Sequence, residues 1–220
     1  MARHGEGSQQ EHWEATYTSA ADFFGKEPSE LVISVLGVMR DSGAKDVLEL
    51  GCGQGRDTLY LCRNGFTVTA LDYSETGICQ MGERAKEWGA DVTLKVHDAR
   101  EPLPFPDNTF DVIYSHMFFT MELTEAEVAS ILKECWRVLR PGGLNIYSVR
   151  NDHDPHYGKF EKVGEDMWRN PRGFIVHFFN EEKIKRLSKD YELLWIKEFE
   201  DGAPPFLKRL YEVVLRKPQA

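Results

Sequence analysis

The chain of 220 residues lacks any apolar run of about 18 or more residues, the length that a helix needs to cross a bilayer. The opening residues, MARHGEGSQQ, also lack the apolar core of a secretory signal. These two absences argue against a membrane-spanning or secreted protein. The sequence therefore predicts a cytoplasmic protein without a membrane partner.

Cysteine is scarce, and no C-x-x-C pair occurs. The four cysteines are Cys52, Cys62, Cys79 and Cys135. Their scatter favours reduced thiols over disulfides or zinc sites. Imidazole and carboxylate groups do gather at His153, Asp154 and His156, with His177 further along, but their spacing fits no zinc pattern. We therefore expect no bound metal.

Basic residues are outnumbered, with 27 Lys and Arg against 36 Asp and Glu and a net charge of −9. Phosphate neutralisation by basic side chains dominates nucleic-acid affinity, so no nucleic-acid partner is expected. A length of 220 residues suits one α/β domain, and we predict a single domain over 1–220.

Glycine, in contrast, is concentrated in the segment VLELGCGQGRD, where an apolar strand runs into Gly51, Gly53 and Gly55. Glycine allows a sharp turn and lets a ligand lie against bare backbone. The spacing is G-x-G-x-G, whereas dinucleotide folds use G-x-G-x-x-G to hold a pyrophosphate. Glu49 at the strand end would repel a pyrophosphate but suits an ammonium or sulfonium. We therefore infer S-adenosylmethionine as the ligand.

Asp72 ends the next apolar run, FTVTAL, 21 residues after the first glycine. A carboxylate about 20 residues on is where ribose hydroxyls are bound in such folds. Asp72 is therefore the predicted ribose ligand. It could also cap the helix that begins at Ser74, and the two roles are compatible.

Strand and helix patterns alternate along most of the chain, which predicts a parallel sheet covered by helices. Strands are predicted at 46–50, 66–72, 92–96, 110–114, 144–149, 191–199 and 209–216, and helices at 28–41, from 56, and at 75–88, 125–139 and 181–188. The turn at 202–205 favours an antiparallel last pair. Residues 1–27 are predicted to form a cap segment, frayed to Gln10 and without helical period.

Residues 150–180 show no sustained periodicity, and a loop of that length points to a lid over a substrate site. Aromatic residues of this segment and of the cap could wall an apolar pocket, or they could simply pack in the core. They are Trp13, Tyr17, Phe23, Phe24, Trp168, Phe174 and Phe178.

Four ordered motifs resemble the class I S-adenosylmethionine-dependent methyltransferases: VLELGCGQGRD, ALDYS, HDAREPLPFPDNTFDVIYS and RVLRPGG. The run GRDTLYLCRNGFTVTALDYSETGI is also similar to the tellurite-resistance and thiopurine methyltransferase branch. The resemblance implies a Rossmann-like, seven-stranded, mostly parallel α/β sheet with helices on both faces and an antiparallel last strand. The cofactor residues that it implies are Glu49, Gly51, Cys52, Gly53, Gly55, Asp72, Tyr73, Asp98, Ala99 and Ser115.

Within that set, Glu49 would position the amino acid moiety and Asp98 would accept from the adenine amino group. Asp98 could instead be a surface turn residue. A general base is needed only for an acceptor that keeps its proton near neutral pH, and histidine suits that task. The candidates are His116, His156 and His177, although His116 could serve through its backbone and His177 could be a core residue.

The predicted function is methyl transfer from S-adenosylmethionine to a small-molecule acceptor, with a soft nucleophile such as a thiol favoured by the second resemblance. Three alternatives remain at this stage. One is a nicotinamide oxidoreductase, which the glycine spacing and Glu49 disfavour. The others are a non-catalytic S-adenosylmethionine-binding protein and a protein methyltransferase whose acidic surface attracts basic substrates.

Overall fold

The structure is a computed structural model, and it describes residues 8–202 and 207–219. The helices are α1 (Gln9–Ser19), α2 (Glu30–Asp41), α3 (Arg56–Arg63), α4 (Glu75–Trp88), α5 (Glu125–Val138) and α6 (Glu181–Leu187). The strands are β1 (Asp46–Leu50), β2 (Thr67–Asp72), β3 (Val92–Val96), β4 (Phe110–His116), β5 (Leu139–Arg150), β6 (Glu161–Gly164), β7 (Met167–Arg169), β8 (Ile175–His177), β9 (Glu192–Asp201) and β10 (Lys208–Arg216).

Seven strands form one sheet in the order β3-β2-β1-β4-β5-β10-β9. The pairs among β1 to β5 are parallel, while β10 runs antiparallel to both β5 and β9. This confirms the predicted fold class. The antiparallel pair was also predicted correctly, although most of its turn lies outside the described residues.

Side-chain alternation along the strands divides the core into two layers. On β1, Leu48 and Leu50 belong to the layer that contains α5, whereas Val47 belongs to the layer that contains α2. Successive strand residues face opposite sides of a sheet, so Glu49 shares the α2 side with Val47. The sheet is therefore buried on both faces, with helices covering each.

Local signals explain why the predicted limits of several elements were accurate. The Ser74 side chain caps α4 by accepting from the Gly77 N–H, and Gly89 ends that helix in the left-handed conformation. A capping box of Thr124 and Glu127 starts α5. None of the helices within 8–202 and 207–219 combines the length and apolar character needed to span a membrane.

Two segments differ from the prediction. Residues Gln9–Ser19 form helix α1, so the expectation of a frayed, aperiodic start was wrong from Ser8 onward, while residues 1–7 lie outside the described part. The expected irregular segment 150–180 contains a three-stranded antiparallel sheet, β6-β7-β8, which we call the lid sheet. Its strands have only three or four residues, too few to show a period of two.

The lid sheet is held by aromatic packing that no local pattern reveals. The Trp168 ring lies 4.6 Å from the Tyr157 ring and 5.5 Å from that of Phe178. The strand β5 is likewise longer than predicted, because the chain already pairs with β4 at Leu139 and the Pro141-Gly142-Gly143 segment is absorbed as an irregularity.

Candidate active site

A cavity of about 920 Å³ lies beyond the carboxyl ends of β1, β2, β3 and β4. Strand order reverses between β1 and β4, and open α/β sheets bind ligands at such a point. Gln9, Gln10, Trp13 and Tyr17 of α1 line one side of the cavity. The lid sheet lines another through Val163, Gly164, Met167, Arg169 and Ile175, together with Glu165 in its first turn.

The glycine loop forms the floor of this cavity. Both Gly51 and Cys52 donate their N–H to the Leu71 carbonyl oxygen, at 2.8 and 3.0 Å, which ties the loop to the end of β2. Gly51 and Gly53 have φ of +69° and +51°, where a side chain would be strained. A Cβ on Gly51 would lie 2.8 Å from the Phe118 ring, and one on Gly53 would lie 2.7 Å from the Tyr17 hydroxyl.

Gly55 serves helix packing. A Cβ at this position, where φ is +82°, would lie 1.7 Å from Sδ of Met81 on α4. The early third glycine in the G-x-G-x-G spacing therefore lets the start of α3 approach α4 closely. The spacing of this loop, which is one residue shorter than in dinucleotide motifs, is thus explained by the close packing of Gly55 against Met81.

Asp72 lines the cavity and also organises the loop. Its Oδ2 accepts from the Gly53 N–H at 2.8 Å, and its Oδ1 accepts from the Ser74 N–H at 2.9 Å. Both roles considered from the sequence are thus compatible, since the carboxylate bonds the start of α4 while lining the cavity. Burial raises the pKa of Asp72 to about 6, against the opposing effect of these two N–H donors.

Glu49 also lines the cavity and is 3% exposed. Because it faces the α2 side of the sheet, it meets α3, where the Thr58 hydroxyl donates to its Oε2 at 2.5 Å. Burial, followed by repulsion from the Asp57 carboxylate, raises the pKa of Glu49 to about 8. A cationic group brought near Glu49 would favour its ionised form.

Tyr73, Asp98 and Ala99 line the cavity at the ends of β2 and β3, as does Arg100. Asp98 Oδ1 accepts from the Arg100 backbone N–H at 2.9 Å, and both carboxylate oxygens accept from the Arg100 guanidinium. The turn role considered for Asp98 is therefore present, and Asp98 still borders the cavity. Ser115 does not line it, because alternation along β4 turns its side chain to the sheet face opposite His116.

Of the three candidate histidines, the structure brings only His116 to the cavity. The placement of His156 does not favour a catalytic role, because its Nδ1 lies 2.9 Å from an Arg150 nitrogen and its ring packs on Phe160. His177 is fully buried, with Nδ1 2.7 Å from the Leu123 carbonyl oxygen. His177 is thus the core residue that the sequence left as an alternative.

The predicted aromatic wall is split into two groups. Trp13, Tyr17 and Phe24 line the cavity, and Phe174 supports Trp13 from behind at a ring distance of 5.1 Å. The other members lie elsewhere: Trp168 and Phe178 pack inside the lid region, and Phe23 is 44% exposed.

Two features of the site were missed in the sequence-based prediction. Tyr17 was considered only as a wall residue, yet it lies on α1 against Gly53 of the glycine loop. The signal for α1 was the Ser8-x-x-Glu11 capping box, which is formed in the structure. His97 lines the cavity with its Nε2 buried and without a hydrogen-bond partner among the described residues.

The residues considered for a metal are engaged in other contacts. His153 Nδ1 lies 3.2 Å from a Glu198 carboxylate oxygen, and Asp154 pairs with the Arg150 guanidinium at 2.5 Å. Within 8–202 and 207–219, no group of three or more His, Cys, Asp or Glu side chains is arranged to hold a metal ion.

Comparison with known proteins identifies the domain. A family model described as "Methyltransferase domain" matches residues 47–143. TehB of Haemophilus influenzae strain 10810, named a probable S-adenosyl-L-methionine-dependent methyltransferase, is 30% identical over 180 residues, covering 81% of this chain and 57% of that protein. A ubiquinone biosynthesis O-methyltransferase of Caulobacter sp. strain K31 is 36% identical over 107 residues, covering 48% and 40%.

The chain thus spans about half the length of the curated relatives that it matches. Among solved structures, a methyltransferase from Methanosarcina mazei superposes with a TM-score of 0.74 at 23% identity, covering 83% of this chain and 98% of that one. That likeness concerns the fold. With the ordered motifs, the glycine loop and the sheet order, these matches show that the chain belongs to the class I S-adenosylmethionine-dependent methyltransferases, in a branch similar to TehB.

Proposed function

We propose that this protein transfers a methyl group from S-adenosylmethionine to a small-molecule acceptor. The observation that carries the proposal is that the bare glycine loop and the Asp72 carboxylate line one cavity of about 920 Å³. Ligand sites for drug-sized molecules typically enclose about 300 to 1,000 Å³, so the cavity lies near the top of that range. That size supports an acceptor beside the cofactor.

The cofactor fits the chemistry of the residues present. Asp72 offers carboxylate oxygens to ribose hydroxyls, and Gly51 and Gly53 add no side chains of their own to the floor of the cavity. The Asp57 carboxylate lines the same end of the cavity, and a cation bound beside Glu49 would ionise that residue, which suits a ligand with ammonium and sulfonium groups. Asp98 and Ala99 stay the proposed adenine contacts, and Tyr73 the proposed flank of the adenine ring.

The acceptor would lie towards the lid sheet, where the cavity wall is apolar and includes three methionine side chains. The residues that form it are Met117, Phe118, Met121, Met167 and Ile175. Methionine side chains are polarizable and adapt to ligands of irregular shape. This wall supports a soft nucleophile such as a thiol as the acceptor atom.

S-adenosylmethionine held at this site would supply an electrophilic methyl group to the acceptor lone pair, with the electrons of the C–S bond passing to sulfur. An acceptor that carries a proton would lose it to solvent before the site closes or after product release. The protein's task is to align the acceptor and exclude water. Tyr17 and Trp13 of α1, with the lid sheet, cover the cavity and serve that task.

Two other functions share the cofactor residues. A non-catalytic S-adenosylmethionine-binding protein would bind the cofactor without turnover. A protein methyltransferase would show a rate that falls steeply with salt, because long-range attraction to the acidic chain is screened. The nicotinamide alternative is further disfavoured by Asp57, which lies buried in the first turn of α3, where a pyrophosphate would need to bind.

The deciding experiment is calorimetric titration of the protein with S-adenosylmethionine, S-adenosylhomocysteine and NADH. Binding of the first two without NADH, followed by S-adenosylhomocysteine release with thiol, amine or metalloid acceptors, is the expected result. NADH binding alone would overturn the proposal, and cofactor binding without release for any acceptor would favour the non-catalytic alternative.

The Asp72→Ala variant tests the ribose assignment. Its affinity for S-adenosylhomocysteine is expected to fall by about 1 to 3 kcal/mol, the cost of losing a charged hydrogen-bond acceptor. Asp107→Ala is the matched control, because Asp107 is an exposed carboxylate paired with Arg137 and does not line the cavity. Equal affinities for the two variants, with both folded, would remove Asp72 from the site.

A further inference from the structure

Two imidazole nitrogens on the cavity wall lack partners. Nε2 of His97 and Nε2 of His116 are buried and make no hydrogen bond among the described residues. Leaving a buried polar atom unpaired costs about 1 to 3 kcal/mol, so such atoms are rare and call for an explanation. Both residues line the cavity, and a bound ligand would supply the missing partner.

His116 lines the cavity directly before Met117 of the proposed acceptor wall, and its position is set by the sheet. It is the last residue of β4 and pairs in register with Ser148 on β5. The same alternation that turns Ser115 away brings the His116 and Ser148 side chains to one face. Their contact is short, with Ser148 Oγ 2.8 Å from His116 Nδ1.

The hydrogen bonds of Ser148 determine which imidazole nitrogen carries the proton. Ser148 Oγ already accepts from the Met117 N–H at 3.0 Å. Ser148 is fully buried, and its hydroxyl proton has no other acceptor than His116 Nδ1 among the described residues. The hydroxyl therefore donates to Nδ1. A neutral imidazole whose Nδ1 accepts must carry its proton on Nε2, the nitrogen without a partner.

The backbone next to His116 reinforces this arrangement. Met117 has φ of +57°, an uncommon left-handed conformation for a residue with a side chain. The Met117 N–H donates to Ser148 Oγ at 3.0 Å, which makes the hydroxyl oxygen an acceptor and leaves its proton for Nδ1. Strain of this kind persists where the surrounding structure requires it, commonly at functional sites.

The imidazole is neutral over the working range of pH. Burial lowers the pKa of His116 to about 4, and the charged groups around it partly cancel. Those groups are Arg56 and Asp57 of α3 and the Asp201–Lys208 ion pair of the β9–β10 hairpin.

We infer that His116 donates a hydrogen bond from Nε2–H to the methyl acceptor, that it is not the general base, and that Ser148 is the positioning residue that fixes its tautomer. The inference rests on the proposed function, because it concerns the acceptor of that reaction. Nε2, the nitrogen without a partner, already holds a proton and has no lone pair to take another. The substrate class that follows is a small molecule with a hydrogen-bond-accepting oxygen or nitrogen beside its nucleophilic atom.

The tautomer is tested without any turnover, by long-range ¹H–¹⁵N correlation on full-length protein labelled in histidine, with His116→Gln used to assign the signal. The expected result at pH 7 is the neutral Nε2–H form, with a shift towards Nδ1–H in Ser148→Ala. Ser188→Ala is the control, because this buried serine does not line the cavity and its hydroxyl donates to the Ile184 carbonyl oxygen of α6. A wild-type Nδ1–H or imidazolium signal would overturn the inference, and an unchanged tautomer in Ser148→Ala would overturn the role of Ser148.

Two variants of His116 and two probe thiols distinguish a hydrogen-bond donor from a general base at this position. Methyl mercaptoacetate carries an ester carbonyl beside its thiol, and pentanethiol is an apolar thiol of similar size. The ester also acidifies its thiol, so the quantity compared is the ratio of the two rates in each protein. We expect that ratio to fall about tenfold from wild type to His116→Leu, the fold-change typical of one hydrogen bond. His116→Gln, whose amide can donate but cannot take a proton, should retain most of the wild-type ratio.

Equal loss of activity in His116→Gln and His116→Leu with both thiols would identify a base and overturn the inference. A failure of the proposed function has a different signature. Wild type would then bind S-adenosylhomocysteine in the calorimeter yet release none with any acceptor, while the tautomer measurement would still decide the state of His116.

Discussion

The glycine loop and the lid sheet border the same cavity but are held in opposite ways. The loop depends on side chains that are missing, since a Cβ at Gly51, Gly53 or Gly55 would meet another side chain within 3 Å. The lid sheet depends on side chains that are present, both the aromatic rings around Trp168 and a buried charged network. A methyl group added to the first region and a charge removed from the second should therefore be the most damaging changes.

The lid sheet is anchored by a buried network centred on Lys183, which is 3% exposed on α6. Its ammonium donates to Asp166 Oδ2 at 2.6 Å, in the turn between β6 and β7, and lies 3.2 Å from His177 Nε2. His177 Nδ1–H in turn donates to the Leu123 carbonyl oxygen. Burial, followed by the Lys183 charge, lowers the pKa of His177 to about 4, so the ring stays neutral and accepts from the ammonium.

The largest effect is expected for Gly55→Ala. The new methyl group would meet Met81 Sδ at 1.7 Å, and φ of +82° adds left-handed strain, so the free energy of unfolding should fall by about 3 kcal/mol. Urea unfolding measures this loss. In Gly65→Ala, φ is +88° but nothing lies within 4 Å, and only about 1 kcal/mol should be lost. Equal losses would refute the packing role of Gly55.

Lys183→Met should destabilise the protein by about 2 kcal/mol, because Asp166 and His177 lose a charged hydrogen-bond donor. The affinity of Lys183→Met for S-adenosylhomocysteine should change by less than about twofold if the lid sheet borders the part of the cavity that binds the acceptor. Lys185→Met on the same helix removes only an exposed pair with Glu181 and should cost at most about 0.5 kcal/mol.

Urea unfolding and calorimetry on both lysine variants test this separation. A loss of cofactor affinity in Lys183→Met as large as that in Asp72→Ala would show that the two regions act as one unit.

The smallest effect concerns pH. Burial raises the pKa of Asp72 to about 6, so its carboxylate gains a proton as pH falls through that value and ceases to be a full acceptor for ribose. Affinity for S-adenosylhomocysteine should therefore fall by about tenfold from pH 7 to pH 5. Calorimetry at several pH values measures the change, and an Asp72→Asn variant should lack it.

The sequence predicted well those regions whose structure depends on contacts between residues close together in the chain, and it predicted poorly those that depend on distant contacts. The predicted limits of β1, β3 and α4 agree with the structure, because the capping residues and the apolar alternation that set them lie within a few residues of those limits. Helix α1 was missed, since its apolar side chains face a cavity and the start of α4 and leave no apolar stripe. The lid sheet was missed because its strands are shorter than any period that a pattern can show.

The same distinction applies to the site residues. Gly51, Gly53, Glu49 and Asp72 were placed by position relative to two strand ends, and all four line the cavity. The three histidines could not be ranked, since only the fold brings His116 to the cavity while His177 packs against Phe179 and His156 binds Arg150. Cellular location and the absence of a nucleic-acid partner stay predictions.

The sequence alone determined the family, the sheet and the cofactor loop, because each follows from local backbone requirements: glycine where φ is positive, apolar alternation where strands are buried, and a carboxylate where a strand ends. Only the tertiary structure decided what covers the loop, which histidine reaches the cavity, and which of its nitrogens carries the proton. Those outcomes depend on hydrogen bonds between residues far apart in the chain, such as Ser148 and His116, which no local pattern encodes.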